Sequence, residues 1–121
     1  MMIGKIVRAS TLAFVITALT VNMTAASTPY DGSWSLTIYT QRGACDPAYN
    51  FQVQITNGRV WHPNLVRLRG RVSSGGGVHV TVSAGGRYAS GSGKLSRTVG
   101  RGRWSGHAGR DRCSGYWIAQ R

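Results

Sequence analysis

The sequence predicts an all-β domain: a small antiparallel up-and-down meander of about eight strands closed into a barrel, with a β-sandwich as the alternative. Three observations lead there. Apolar residues alternate with polar ones in short runs, clusters of Gly, Pro and Asn separate those runs at nearly even spacing, and the only two cysteines lie near the two ends of the meander. The clearest pattern runs from Leu65 to Ser83. Val66, Leu68, Gly70 and Val72 alternate with Arg67, Arg69 and Arg71, and after a glycine-rich connection Val78, Val80 and Val82 alternate with His79, Thr81 and Ser83. Period two on both arms marks a pair of half-buried strands.

The chain opens MMIGKIVRASTLAFVITALTVNMTAAS. Lys5 and Arg8 precede an apolar run and a small-residue patch, the plan of a secretory signal peptide cut near Ala26. The run is shorter than the roughly 20 residues that span a bilayer, and Thr17 and Thr20 interrupt it. Residues 1–26 are therefore read as the signal and residues 27–121 as one domain without a transmembrane segment. The expected location is secreted or periplasmic.

The first strand is expected at Ser33 to Thr40, with Trp34, Leu36 and Ile38 on one face. Gln41 to Ala48 breaks the pattern and holds Cys45. Tyr49 to Thr56 alternates again, and Asn57-Gly58 is the signal of a two-residue type I′ hairpin into Arg59 to His62. Pro63 and Asn64 end that strand. The Leu65 to Ser83 hairpin follows as strands four and five. Arg87 to Leu95 is a sixth strand weakened by Gly91 and Gly93, Arg101 to Gly106 a seventh around Trp104, and Ser114 to Gln120 an eighth. In a closed meander with an even strand count the first strand lies antiparallel to the last. Cys45 follows the one and Cys113 precedes the other, so a Cys45–Cys113 disulfide would clip the closing seam.

Gly-x-Trp occurs three times, at Gly32-Ser33-Trp34, Gly102-Arg103-Trp104 and Gly115-Tyr116-Trp117. Glycine lets a flat indole lie close to the wall, so these tryptophans either plug the barrel or line an aromatic pocket. The first of them, at the entrance of an eight-stranded meander, resembles the opening strand of lipocalins and avidins, and of small bacterial periplasmic inhibitors of secreted metalloproteases, which also carry one disulfide. Those inhibitors act through an N-terminal trunk in the protease cleft. Here only Thr28 to Gly32 separate the expected cut site from Trp34, too short a stretch for that role. The runs YDGSW, GACDPAYNFQVQITNGRV, GRVSSGG, ASGSGKLS, GRGRWSG and CSGYWIAQR resemble small secreted proteins of rhizobial-type alphaproteobacteria. That family has no established activity, though a haem-utilisation or adhesion label is attached to some such proteins.

Charge narrows the function more than any motif does. Of the 15 basic residues Lys5 and Arg8 fall in the signal, which leaves 13 against Asp31, Asp46 and Asp111, a formal charge of +10. That balance favours anionic partners such as lipopolysaccharide or an acidic polysaccharide, with nucleic acid less favoured. It also speaks against several enzyme classes. The chain has no glutamate and only these three aspartates, a poor start for a glycosidase pair. No GxSxG elbow is present. His62, His79 and His107 lack metal-ligand spacing, so neither metal nor cofactor is expected. His62, in phase with Val60, is the better candidate for an inward-facing axial histidine.

The expected function is a monomeric, non-enzymatic binding module for an anionic or amphipathic cell-envelope partner. Candidate anion-binding residues are Arg59, Arg67, Arg69, Arg71, Arg101 and Arg103, with Trp61 as a stacking platform beside Arg59. The alternatives are a carrier barrel for a small apolar, haem-like ligand and a periplasmic protease inhibitor. The competing account of the arginines is a solvated coat whose stems cover apolar surface.

Overall fold

Alternation of inward and outward side chains along each strand decides the architecture. A computed structural model describes residues 27–121; the expected signal peptide lies outside the described residues. Eight antiparallel strands follow in chain order: β1 (Gly32–Arg42), β2 (Ala48–Thr56), β3 (Arg59–Trp61), β4 (Arg69–Val72), β5 (Gly77–Ala84), β6 (Arg87–Leu95), β7 (Val99–Ala108) and β8 (Asp111–Gln120). Each pairs with the next, and β8 pairs with β1 to close a barrel. No helix occurs among the described residues.

The register fixes how wide that barrel is. Starting at Thr40 of β1 and crossing from partner to partner, the path runs through Gly115, Trp104, Gly91, Val80, Gly70, Val60 and Ile55 and returns to β1 at Gly32. The return is displaced eight residues along β1, from 40 to 32. Eight strands with a shear of eight imply a strand tilt of about 36° and an interior that side chains ordinarily fill.

Glycine changes that filling on one wall. Gly91, Gly93, Gly102 and Gly115 occupy inward positions of β6, β7 and β8, and the indole of Trp117 lies over the first three of them. A Cβ at Gly93 or Gly102 would stand 2.6 Å from Trp117 Cζ2, and at Gly102 also 2.0 Å from the Ser92 carbonyl oxygen. The opposite wall is aliphatic: Val53, Ile55, Val60, Val72 and Val78 are buried.

One end is sealed. Trp34, 1 % exposed, donates its indole N–H to the Tyr30 carbonyl at 2.8 Å and carries the Arg121 guanidinium 4.5 Å above its ring. Arg121 in turn donates to the carbonyls of Asp31 (2.6 Å), Arg97 (2.7 Å) and Pro29. The Asp31 carboxylate stitches this end to the β2–β3 turn, accepting from Asn57 N–H at 2.7 Å, Gly58 N–H at 3.1 Å and the Thr28 hydroxyl at 2.6 Å. Positive φ at both Asn57 (53°) and Gly58 (78°) is the type I′ geometry that the dipeptide predicts. At the other end the Cys45–Cys113 disulfide (Cα–Cα 6.1 Å) clips the β1–β8 seam. In the chain-entropy picture a loop of that length contributes roughly 4 kcal/mol.

Two elements depart from the sequence reading. The fourth strand begins only at Arg69, because Leu65 N–H donates to the His62 carbonyl and Leu68 N–H to the Leu65 carbonyl, two successive turns. Their spacing of three carries Leu65 and Leu68 to the core and throws Val66 out, 89 % exposed, where period two placed it inside. Arg67 accordingly sits on this turn and not on a strand. Secondly, β7 and β8 run up to a two-residue turn at Gly109-Arg110, so Cys113 is an inward-facing residue within β8 and not the end of a loop.

Two measurements check this account. In urea denaturation, Gly93→Ala and Gly102→Ala are expected to cost about 1–3 kcal/mol each through overpacking against Trp117 and the neighbouring strand. Gly91→Ala should cost clearly less, since its nearest contacts lie at an ordinary 3.4 Å. The pKa of Asp31 is held below its ordinary value, first by the Thr28 hydroxyl and then by the Asn57 and Gly58 amides. A carboxylate depressed in the folded state stabilises above its unfolded pKa of about 3.9, and that stability is lost as pH falls through the folded value. Asp31→Asn should therefore lower stability at neutral pH and flatten the acid limb of a stability–pH curve below about pH 4.

Candidate functional site

Apart from the disulfide-bonded Cys113, exposure of the inward-facing side chains rises from the sealed end to the other. Trp34, Ile55, Leu95 and Ala119 are buried, whereas Leu36, Ile38, Phe51, Val80, Val82 and Trp104, which also point inward, are half-buried. The barrel is thus a cup. Between these residues lies a void of roughly 110 Å³ with an almost wholly apolar lining. Its walls combine the aliphatic side chains of β1, β2 and β5 with Gly91, Trp104 and Trp117 of the glycine wall, and Leu68 closes the side above β3 and β4. Those two strands are short. The ladder between β2 and β3 reaches only to Gln54, and that between β4 and β5 only to Thr81, so the wall is lowest there and the turn from His62 to Leu68 crosses the gap.

Polar groups hold the rim open. The Trp104 indole donates to the Tyr39 carbonyl at 2.9 Å, tying β7 to β1 over β8, and the Thr40 hydroxyl donates to the Asp46 carbonyl at 2.6 Å. Trp117, by contrast, makes no side-chain hydrogen bond among the described residues, although it is buried in the cup wall. An apolar cavity of about 150 Å³ stays dry and takes up benzene or xenon. A void of 110 Å³ therefore suits one ring or the end of an alkyl chain, and falls well short of the few hundred Å³ that a haem-sized ligand needs.

The arginines stand on the outside. Arg59 and Arg71 are direct cross-strand partners on β3 and β4, Arg69 lies two residues along, and His79 of β5 faces Arg71 from the other side. Like charges opposite one another in a sheet cost stability, and three aspartates cannot offset 13 basic residues. Trp61, 41 % exposed, shares the Arg59 face and donates to the Thr56 hydroxyl at 2.9 Å. Arg67 belongs to the turn that covers the cup, next to Leu68. Arg101 and Arg103 form a separate stripe on β7, three strand spacings or about 14 Å from β4. Lys94 of β6 is the direct cross-strand partner of Arg101. The structure therefore brings Arg59, Arg69 and Arg71 together and leaves Arg101 and Arg103 apart from them.

The histidines lie on separate elements. His62 turns its edge to Phe51 at 5.9 Å and accepts the Asn64 N–H on Nδ1 at 3.0 Å, His79 is on the outer face, and His107 stacks on Tyr88. No group of three or more potential metal ligands gathers among the described residues. No helix of theirs is long and apolar enough to cross a membrane. Compared with family models, curated proteins and solved structures, the chain finds no match in any of the three.

Sequence periodicity missed the void itself and a group of polar residues at the rim, Arg42, Ser105, Arg112 and Ser114. The void follows from inward glycines, which alternation reads as weak strand. The rim residues had a usable signal: Arg42 and Arg112 each stand within three positions of a bonded cysteine. Benzene tests the void directly. It should raise the unfolding temperature of the protein, and Val80→Phe, which fills the cup, should lose most of that response.

Proposed function

We propose that the protein is a non-enzymatic binding module of the cell envelope for an anionic amphipath, an acyl or ring-bearing molecule with a carboxylate or phosphate at one end. The apolar end enters the cup, and the charged end meets Arg67 and Arg69, which flank the cup-lining Leu68. The observation that carries this reading is the set of inward-facing apolar side chains left only partly buried around an apolar void. A filled barrel would have buried them, and the lost burial, about 25 cal/mol per Å², is recovered when a ligand covers them. The unpaired arginine row of β3 and β4 supports the sign of the partner's charge, and the signal-like start of the chain supports its location.

A medium-chain carboxylate and the alcohol of equal length separate the two halves of the proposal. Trp104 and Trp117 line the cup, so both ligands should shift tryptophan emission saturably. The carboxylate should bind several-fold more tightly at low salt, and the advantage should fade as salt screens it. Replacing Arg67, Arg69 and Arg71 by serine should remove the advantage and keep alcohol binding, whereas Val80→Phe should remove both. Unchanged emission with either ligand would overturn the cup reading.

A further inference from the structure

A second concave surface lies on the outer wall at the rim, across β8, β7 and β6. Cross-strand pairing sets six side chains there in two neighbouring rows. Arg42, Ser114 and Ser105 are successive partners in one row, and Arg112, His107 and Tyr88 in the next. They line a groove of about 440 Å³ that shares no residue with the cup. Strands stand ~4.8 Å apart and alternate residues ~7 Å apart, so two guanidinium groups, an imidazole and two hydroxyls line one groove with room for a tetrahedral anion and a ring beside it. No carboxylate lines it. Asp111, adjacent to Arg112, alternates to the other face of β8.

Two further observations bear on the ligand. The disulfide anchors the backbone beside both arginines, because Cys45 follows Arg42 by three residues and Cys113 follows Arg112 directly. Gly43 is wedged between them, and a Cβ there would lie 2.2 Å from the Arg112 carbonyl oxygen and 2.7 Å from Cys113 Sγ. The backbone positions from which both arginines project are therefore set before any ligand arrives, so binding orders side chains and not a loop. Beside them Tyr88 stacks on His107, with centroids 5.8 Å apart and planes 29° apart, and remains 43 % exposed. A flat apolar face thus adjoins a cluster of anion donors.

We propose that this groove binds a soluble phosphomonoester carried on a ring. Arg42 and Arg112 fork the phosphate oxygens, Ser105 and Ser114 donate hydroxyl hydrogen bonds, and the ring lies against Tyr88. This site stands independently of the cup, whose occupancy is read by tryptophan emission.

The test is a titration with phenyl phosphate and with inorganic phosphate at constant ionic strength, followed by the Tyr88 and His107 ring resonances. Both ligands should saturate, phenyl phosphate more tightly. Arg42→Gln with Arg112→Gln should weaken both at least tenfold. Lys94→Gln with Arg97→Gln removes the same charge at the sealed end and should change binding little. If the first double variant fails to fold by near-ultraviolet circular dichroism, Tyr88→Ala decides: the preference for phenyl phosphate should vanish while phosphate still saturates. A linear response without saturation, equal losses in the two double variants, a preference that survives Tyr88→Ala, or binding to phosphatidic acid vesicles without any response to phenyl phosphate would each overturn the proposal.

Discussion

The contact on which the rest of this barrel depends is the Trp117 indole against the glycines of β6 and β7. Eight strands at a shear of eight give a cross-section that side chains normally occupy, and a tryptophan fits inside only where the facing wall has none. Gly93 and Gly102 supply that wall at van der Waals range of the ring. Once Trp117 lies flat on one side, the aliphatic residues of β1, β2 and β5 cannot reach it everywhere from the other, and the space between them is the cup. The void is thus a consequence of how the ring is seated and not a separate feature added to a finished core. The three Gly-x-Trp glycines serve different ends: Gly102 makes the recess for Trp117, whereas Gly115 admits the Tyr39 backbone of β1 at the seam.

Much of this architecture was legible because each strand obeys a local rule. Ser33 to Thr40, Tyr49 to Thr56 and Val78 to Ser83 alternate cleanly, and Asn57-Gly58 dictates its turn, so strand count, closure and the disulfide follow from pattern and parity. The rule fails where two structures share a pattern. Val66-Arg67-Leu68 alternates as well as any strand, but Pro63 and Asn64 start a pair of turns in which spacing three, not two, selects the buried residues. Glycine is ambiguous in a different way. An inward glycine reads as weak strand from sequence, and only the register shows that Gly91, Gly93 and Gly102 lie side by side under one ring. For the same reason the arginines of β3 and β4 were readable as a face, while Arg42 and Arg112, 70 residues apart, meet only through the seam.

The arginines divide by what they touch. Arg121 is structural, since its guanidinium binds three carbonyls and covers Trp34, satisfying backbone oxygens at the sealed end that no strand partner reaches. Arg59 and Arg71 do the reverse. They face each other across a ladder without a carboxylate opposite, an arrangement that raises the free energy of the folded chain. A solvated coat would dilute such charge by mixing signs. Here three aspartates against 13 basic residues leave no such mixture, and the five arginines of β3, β4 and β7 face solvent with no carboxylate across their ladders.

The two ends of the barrel are held by different means, and the difference bears on how a water-accessible apolar cup survives. At the sealed end polar ties and burial act together, because Trp34, Leu95 and Ala119 are covered and Asp31 and Arg121 bind backbone groups around them. At the rim the inward side chains gain less from burial, and the ladder is missing over β3 and β4. A wall held by packing alone would relax inward there, since collapse would bury Leu36, Phe51 and Val82 at no cost in polar contacts. The disulfide, the Trp104 bond to Tyr39 and the Thr40 bond to Asp46 oppose that movement on the β7–β8–β1 side. Among the described residues no such bond ties the His62 to Leu68 turn to another strand, and its hydrogen bonds are internal. The wall is therefore lowest where the seam does not reach, and there Leu68, set between Arg67 and Arg69, covers the void in place of a strand.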